Sequence, residues 1–211
     1  EEQLIKAGLS RWDLLNFDHN NEKSILFMFT WRKMHQQRFD HSLYKKKILS
    51  LLYNEDLQNY LKNKNIKLYY AHHHALKHNM NVDFIISHHN INVVDSTKIS
   101  EYAKKCSMLV TDFSSLSFDF MFQNKPVIYY PMDNNDKFLS YSEQVDLDCF
   151  CNMNQMLPNV LFDENNVIGK IKYYVDHHFA IESDTKKKYN NFFYLKENIR
   201  QNLVDKLEKE C

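Results

Sequence analysis

The stretch MLVTDFSSLSFDFMFQNKPVIYY, residues 108–130, reads as strand, turn, helix and strand in unbroken succession. Met108–Thr111 and Pro126–Tyr130 are short and apolar, as strands buried on both faces of a parallel sheet are. Between them, Asp112, Ser114 and Ser115 are residue types that open helices, and Ser115–Gln123 then crowds Leu116, Phe118, Phe120, Met121 and Phe122 into a short helix. Two strands separated by a helix require a crossover, which is right-handed and places the helix on the face of a parallel sheet.

Outward from this unit the same alternation continues. Ser24–Thr30 (SILFMFT), Ile66–Ala71 (IKLYYA) and Val82–Ser87 (VDFIIS) read as further strands. His41–Lys62 spaces Leu43, Ile48, Leu51, Leu52, Leu57 and Leu61 as one long helix, Lys98–Lys105 reads as a shorter one, and Asn165–His178 and Tyr189–Lys209 close the chain as helices. In the last of these, Phe192, Phe193, Leu195, Ile199, Leu203 and Leu207 form one apolar stripe. The expected fold is therefore α/β, a Rossmann-like doubly wound parallel sheet with helices on both faces. The chain holds no internal repeat and no low-complexity linker, so residues 1–211 read as one domain.

Composition excludes several functions. Gly8 and Gly169 are the only glycines in 211 residues, where average usage predicts about 15. A Walker loop, a G-x-G-x-x-G fingerprint and a G-x-S-x-G elbow are all ruled out. With 27 basic against 27 acidic side chains, no net charge draws the chain to nucleic acid. Apolar runs such as Ile25–Phe29 are far shorter than the ~20 residues of a membrane span. Cys106, Cys149, Cys151 and Cys211 have no framework spacing and read as free thiols in a reducing compartment. The chain opens Glu1-Glu2-Gln3 without methionine or a basic-then-apolar leader, which reads as no signal peptide and as a piece of a longer polypeptide.

Ligands of open α/β sheets bind at the carboxyl ends of the strands. Three expected strand ends carry unusual polar residues: Thr30-Trp31-Arg32, His72-His73-His74 and Thr111-Asp112-Phe113-Ser114-Ser115. In the third, one serine hydroxyl can cap the following helix while backbone N–H groups and the positive dipole end accept an anion, so a phosphate is held without glycine. An ordinary N-cap is the plainer alternative. Asp119 falls four residues after Ser115, on the same helical face, and either pairs with a surface cation or meets a hydroxyl-rich ligand.

Leu109–Phe120, followed by Asn124-Lys125-Pro126-Val127-Ile128-Tyr129-Tyr130 and Asp133, resembles the signature stretch of the CDP-glycerol glycerophosphotransferases, approximately LITDYSS-x-x-FD and then a K/R-P-hydrophobic strand. Gly8-Leu9-Ser10-Arg11-Trp12-Asp13 is similar to that family's GLPR-x-D turn, and Thr30-Trp31-Arg32 to the end of its APTWR strand. The chain departs from the pattern at Phe29 for the usual proline, at Ser107 for an aspartate, and at Leu157-Pro158-Asn159-Val160 for a Pro-Gly-Pro-like segment, which bears on the loop over the nucleotide and on the donor's identity.

The resemblance implies a GT-B fold, with this chain as its C-terminal nucleotide-binding domain and the N-terminal acceptor domain absent. It implies a transferase that moves glycerol phosphate or ribitol phosphate from a CDP-polyol to a growing teichoic-acid-like or capsular polymer, releasing CMP. The donor's diphosphate is expected near Ser114 and Ser115, with Thr30, Arg32, Thr111, Asp112 and Asp119 on the substrate and His73 as the catalytic imidazolium that neutralises the leaving group. The general base is expected outside this chain. No metal and no cofactor beyond the CDP-linked donor are implied; His74 and His78 have helical ligand spacing, but no H-E-x-x-H pattern accompanies them. Expected partners are the CDP-polyol and a lipid-linked or polymeric acceptor, with no nucleic acid. The expected location is cytoplasmic, with peripheral contact to the inner face of the membrane through Lys45-Lys46-Lys47 or Lys186-Lys187-Lys188 as an option, though these runs read more readily as solvated loops and helix faces. Two other readings remain: a GT-B glycosyltransferase using a nucleotide sugar, and a non-catalytic nucleotide-binding or interaction module.

Overall fold

A central strand, β1 (Glu22–Met28), pairs in parallel with β2 (Lys67–Ala71) on one side and with β4 (Cys106–Thr111) on the other. β3 (Ile91–Val94) extends the sheet beyond β2, and β5 (Val127–Tyr129) extends it beyond β4, giving the order β3-β2-β1-β4-β5. The computed structural model describes residues 8–15, 22–30, 43–72, 91–112, 114–132, 157–193 and 197–210. All six residues of β4 are buried, as befits an interior parallel strand covered on both faces.

The two-residue period of the strands divides the core. Ile25, Phe27, Leu68, Tyr70, Met108, Val110 and Ile128 face one layer, built by α1 (Leu43–Leu52), α2 (Glu55–Asn63) and α5 (Glu164–Asp176). Leu26, Tyr69, Ala71, Leu109, Val127 and Tyr129 face the other, built by α3 (Ile99–Lys105), α4 (Leu116–Phe122) and α6 (Ser183–Asn190), with Trp12, Phe193 and Ile199. The doubly wound α/β expectation is met.

Several elements differ from the sequence reading. The helix expected over His41–Lys62 is two helices, because Asn54 interrupts it and its side chain accepts from the Leu57 backbone N–H at 3.0 Å, with Glu55 and Asp56 following in the first turn. The helix expected over Tyr189–Lys209 is likewise divided. α6 ends at Asn190, and α7 (Ile199–Glu210) starts where the Asp13 carboxylate accepts from the N–H groups of Ile199 and Arg200 at 3.0 and 2.7 Å. Asp13 comes from a 3-10 turn, Ser10–Leu14, at the other end of the chain. Of the expected apolar stripe, Phe193 and Ile199 are buried while Leu207 is exposed. β3 was not anticipated, and the strand expected over Val82–Ser87 lies outside the described residues.

Away from the carboxyl ends, the sheet is tied by ions. Glu22 at the start of β1 pairs with Lys67 of β2 and, at 2.9 Å, with Lys105 of α3, and it accepts from the Tyr69 hydroxyl at 2.9 Å. Burial opposes its ionisation, but the Lys67 and Lys105 ammonium groups and the Tyr69 hydroxyl outweigh it and hold Glu22 down at about 2.

Candidate functional site

Chain direction changes side between β1 and β4: β2 and β3 lie to one side of β1, β4 and β5 to the other. The carboxyl ends of those two neighbours therefore form the topological switch point, where open α/β sheets leave a crevice for ligand. The register pairs Met28 with Thr111, so the segments leaving the two strands start side by side.

Thr30 and Asp112 meet across this junction. The Asp112 carboxylate, fully buried, accepts the Thr30 backbone N–H at 2.9 Å on one oxygen and the Thr30 hydroxyl at 2.7 Å on the other. The Thr30 carbonyl accepts from the Tyr44 hydroxyl in the first turn of α1 at 2.6 Å. A ring of side chain and backbone thus locks the exit of β1 onto the exit of β4. Burial, then the Asp112 charge, raises the neighbouring Tyr70 phenol well above its ordinary value and keeps it neutral.

Thr111 sits just before this clasp. Its carbonyl accepts from the Tyr130 N–H at 2.7 Å, and its buried hydroxyl has no hydrogen-bond partner among the described residues. The turn that follows has the division of labour expected from two serines. Ser114 is buried, and its hydroxyl accepts the Leu116 N–H at 3.3 Å while its carbonyl accepts the Ser117 N–H at 3.0 Å. Ser115 is exposed, makes no side-chain capping bond, and presents its hydroxyl at the opening of α4.

Asp119 is engaged from within the chain. Its carboxylate accepts from Arg11 Nε at 3.0 and 3.3 Å, from Arg11 Nη2 at 3.0 Å and from Trp12 Nε1 at 2.8 Å. Sequence reasoning noted the Gly8–Asp13 turn without giving it a partner. The Asp119 carboxylate was the available signal, because a buried helix carboxylate needs a partner. Gly8 has its own packing reason: a Cβ there would come within 3.1 Å of the Ile199 side chain.

The Lys125-Pro126 pair also has a structural function. Lys125, 5% exposed, donates to the Ala103 carbonyl at 3.1 Å and to the Lys104 carbonyl at 2.6 Å, closing the last turn of α3. Burial draws its ammonium down to about 8, with the nearby Cys106 opposing. Asn159, where the expected Pro-Gly-Pro-like segment lacks its glycine, adopts φ 57°, the left-handed conformation that glycine and asparagine share. Its neighbour Val160 makes a parallel bridge to Tyr129 at the edge of β5.

The structure thus brings Thr30, Thr111, Asp112, Ser114 and Ser115 to one sheet edge and turns Asp119 toward Arg11 and Trp12. β2 delivers His72 to the same edge, whereas Arg32, His73 and the His74/His78 pair lie outside the described residues.

A doubly wound parallel sheet with its polar residues gathered at the switch point defines a Rossmann-like domain of the kind found in GT-B transferases. The chain belongs to the CDP-glycerol:poly(glycerophosphate) glycerophosphotransferase family, whose model matches residues 12–209. It is 27% identical over 220 residues to the minor teichoic acid biosynthesis protein GgaB of Bacillus subtilis (strain 168), a match covering 97% of this chain and 23% of that protein. Among solved structures, the wall teichoic acid polymerase TagF superposes with a TM-score of 0.60 at 17% identity, covering 99% of this chain and 52% of the polymerase. A TagF variant soaked with CDPG superposes with a TM-score of 0.58, also at 17% identity, covering 100% of this chain and 51% of that one. The chain therefore spans about half the length of the polymerase and about a quarter of GgaB. Among the described residues no helix is long and apolar enough to cross a membrane.

Proposed function

We propose that this chain is the donor-binding half of a transferase that moves a polyol phosphate, glycerol phosphate or ribitol phosphate, from a CDP-polyol to a hydroxyl of a growing teichoic-acid-like or capsular polymer. Membership of the glycerophosphotransferase family across residues 12–209 carries this reading, and the polar strand ends at the switch point support it. The diphosphate rests against the Ser114-Ser115 turn, where the exposed Ser115 hydroxyl and the dipole of α4 favour negative charge. Thr30 and Asp112 hold the two sides of the crevice at fixed separation. His73 and Arg32, which follow β2 and β1 in the sequence, supply positive charge in this reading.

In the reaction, the acceptor oxygen attacks the phosphorus that bears the polyol. A new P–O bond forms, the anhydride bond to the cytidylate breaks, and CMP leaves with the bonding pair. The hydroxyl proton passes to a general base outside this chain. Phosphoryl transfer asks a protein chiefly for positioning and charge stabilisation, and the residues of this edge are suited to both. Contact with a membrane, where a lipid-linked acceptor resides, falls to the short lysine runs at Lys45–Lys47 and Lys186–Lys188.

Calorimetry of the chain with CDP-glycerol, CDP-ribitol and UDP-sugars tests the reading. A CDP-polyol binds, Ser115→Ala weakens it, and UDP-sugars bind less tightly. Preference for a UDP-sugar makes the protein a glycosyltransferase, and binding of none of them makes it a module without donor.

A further inference from the structure

We propose that Arg11, Trp12 and Asp119 form a brace that sets the direction of α4, so that Asp119 is a positioning residue and not a ligand of the polyol. The proposal rests on the reading that the turn before α4 receives the donor's diphosphate.

The carboxylate is already engaged from within the chain, most heavily at Oδ1. Asp119 is 7% exposed, Arg11 reaches both of its oxygens, and the Trp12 indole N–H adds a bond to the first at 2.8 Å. A polyol hydroxyl would find the carboxylate covered by these two side chains, its charge already met by the Arg11 guanidinium. The indole has no freedom to make room. Trp12 stacks on Phe122 at 5.0 Å and 18°, and meets Phe193 edge-on at 5.0 Å and 84°. The turn that carries Arg11 and Trp12 is itself fixed from behind. Asp13 binds the first N–H groups of α7, and Arg200 Nε donates to the Ser10 carbonyl at 3.0 Å.

The lever is short. Ser115 and Asp119 are four residues apart and lie on one face of α4, so the brace grips the helix a single turn beyond the exposed serine. A seven-residue helix is only about 10 Å long. A tilt permitted at Asp119 therefore reaches the Ser114-Ser115 turn almost undiminished, and a misplacement of about 1 Å at a binding group is enough to weaken function by an order of magnitude or more.

The experiment compares wild type, Arg11→Ala, Arg11→Lys, Asp119→Asn and the Arg11→Ala/Asp119→Asn double variant, titrated by calorimetry with CDP and with CDP-glycerol. The brace predicts that each single change weakens both ligands by the same factor, about tenfold. The double variant is no weaker than the worse single, and Arg11→Lys recovers part of the loss. Weakening of CDP-glycerol alone by Asp119→Asn overturns the proposal, because it places the carboxylate on the polyol. Amide hydrogen exchange over Leu116–Phe122 separates this test from that of the donor reading. Exchange accelerates in Arg11→Ala whether or not a donor binds, and unchanged exchange overturns the brace. If wild type binds neither nucleotide, the donor reading falls and the exchange result alone decides the brace.

Discussion

Removing the Asp112 carboxylate should open the junction between β1 and β4. Asp112 is fully buried and receives two hydrogen bonds from Thr30, at 2.9 and 2.7 Å. Hydrogen bonds to charged groups contribute about 1.5–3 kcal/mol each, so Asp112→Ala forfeits roughly 3–6 kcal/mol of gross interaction. Two effects offset part of it: the buried charge no longer has to be desolvated, and Thr30, only partly buried, can recruit water for its hydroxyl. The expected net cost is about 3 kcal/mol, a large share of the roughly 5–15 kcal/mol by which domains are stable. Asp112→Asn keeps the shape. Its Oδ1 still accepts the Thr30 N–H, its amide nitrogen donates to the Thr30 hydroxyl oxygen, and two neutral bonds replace two charged ones at a cost of about 1 kcal/mol. Urea unfolding followed by circular dichroism measures both, and the separation between the variants is the diagnostic. A Thr30→Val/Asp112→Asn double-mutant cycle adds the pair term, expected at about 1 kcal/mol or more. An alanine variant that loses less than about 1 kcal/mol, or alanine and asparagine variants of equal stability, would refute the clasp.

Two further perturbations probe the fold through pH. Glu22 is held at about 2 against an ordinary value of 4.5, so its stabilisation is complete above pH 4.5 and is lost as pH falls toward 2; at 1.36 kcal/mol per pH unit this is at most about 3 kcal/mol. Urea midpoints at pH 7 and pH 3 should fall less for Glu22→Gln than for wild type, and parallel profiles contradict the ion cluster. Lys125 has the opposite sign: with its ammonium drawn down by burial to about 8 from 10.5, the unfolded chain binds the extra proton between those values, and stability rises with pH across that window. Wild type should gain on Lys125→Met between pH 8 and 10 by a few kcal/mol, on the order of 1.36 per pH unit, in the same urea assay, and a constant difference rules out a titrating Lys125.

The physical range of each interaction explains how much of this was legible in the amino-acid order. Local patterns are written along the chain, which is why four of the strands and the helix opening at Ser115 were readable from apolar runs and turn chemistry. Asn54 followed by Glu55-Asp56 was a readable N-cap signal as well, overshadowed by the longer spacing of leucines through His41–Lys62. β3 has only four residues with two exposed in the middle, so neither a continuous apolar run nor strict alternation marks it. The break before α7 was not readable at all, since its cap, Asp13, lies 186 residues away along the chain from Ile199.

Strand order is the non-local property that matters most for the site. Helical crossovers imply a parallel sheet, yet they leave open which strands are neighbours, and only the adjacency of β1 and β4 places Thr30 against Asp112. The same limit governs Asp119. From its own helix it is a carboxylate in apolar company that needs a partner, and every candidate cation in the chain is equally eligible. Its pairing with Arg11 and Trp12, 108 and 107 residues distant, settles what the helix face is occupied with. The residue left exposed one turn nearer the strand ends is Ser115. The motif that resembles the family's signature thus separates physically into a part that shapes the crevice, Asp112 and Asp119, and a part free to meet a ligand, the Ser115 hydroxyl. Substitutions in the first part should lower stability and donor affinity together, whereas Ser115→Ala should lower affinity with stability unchanged.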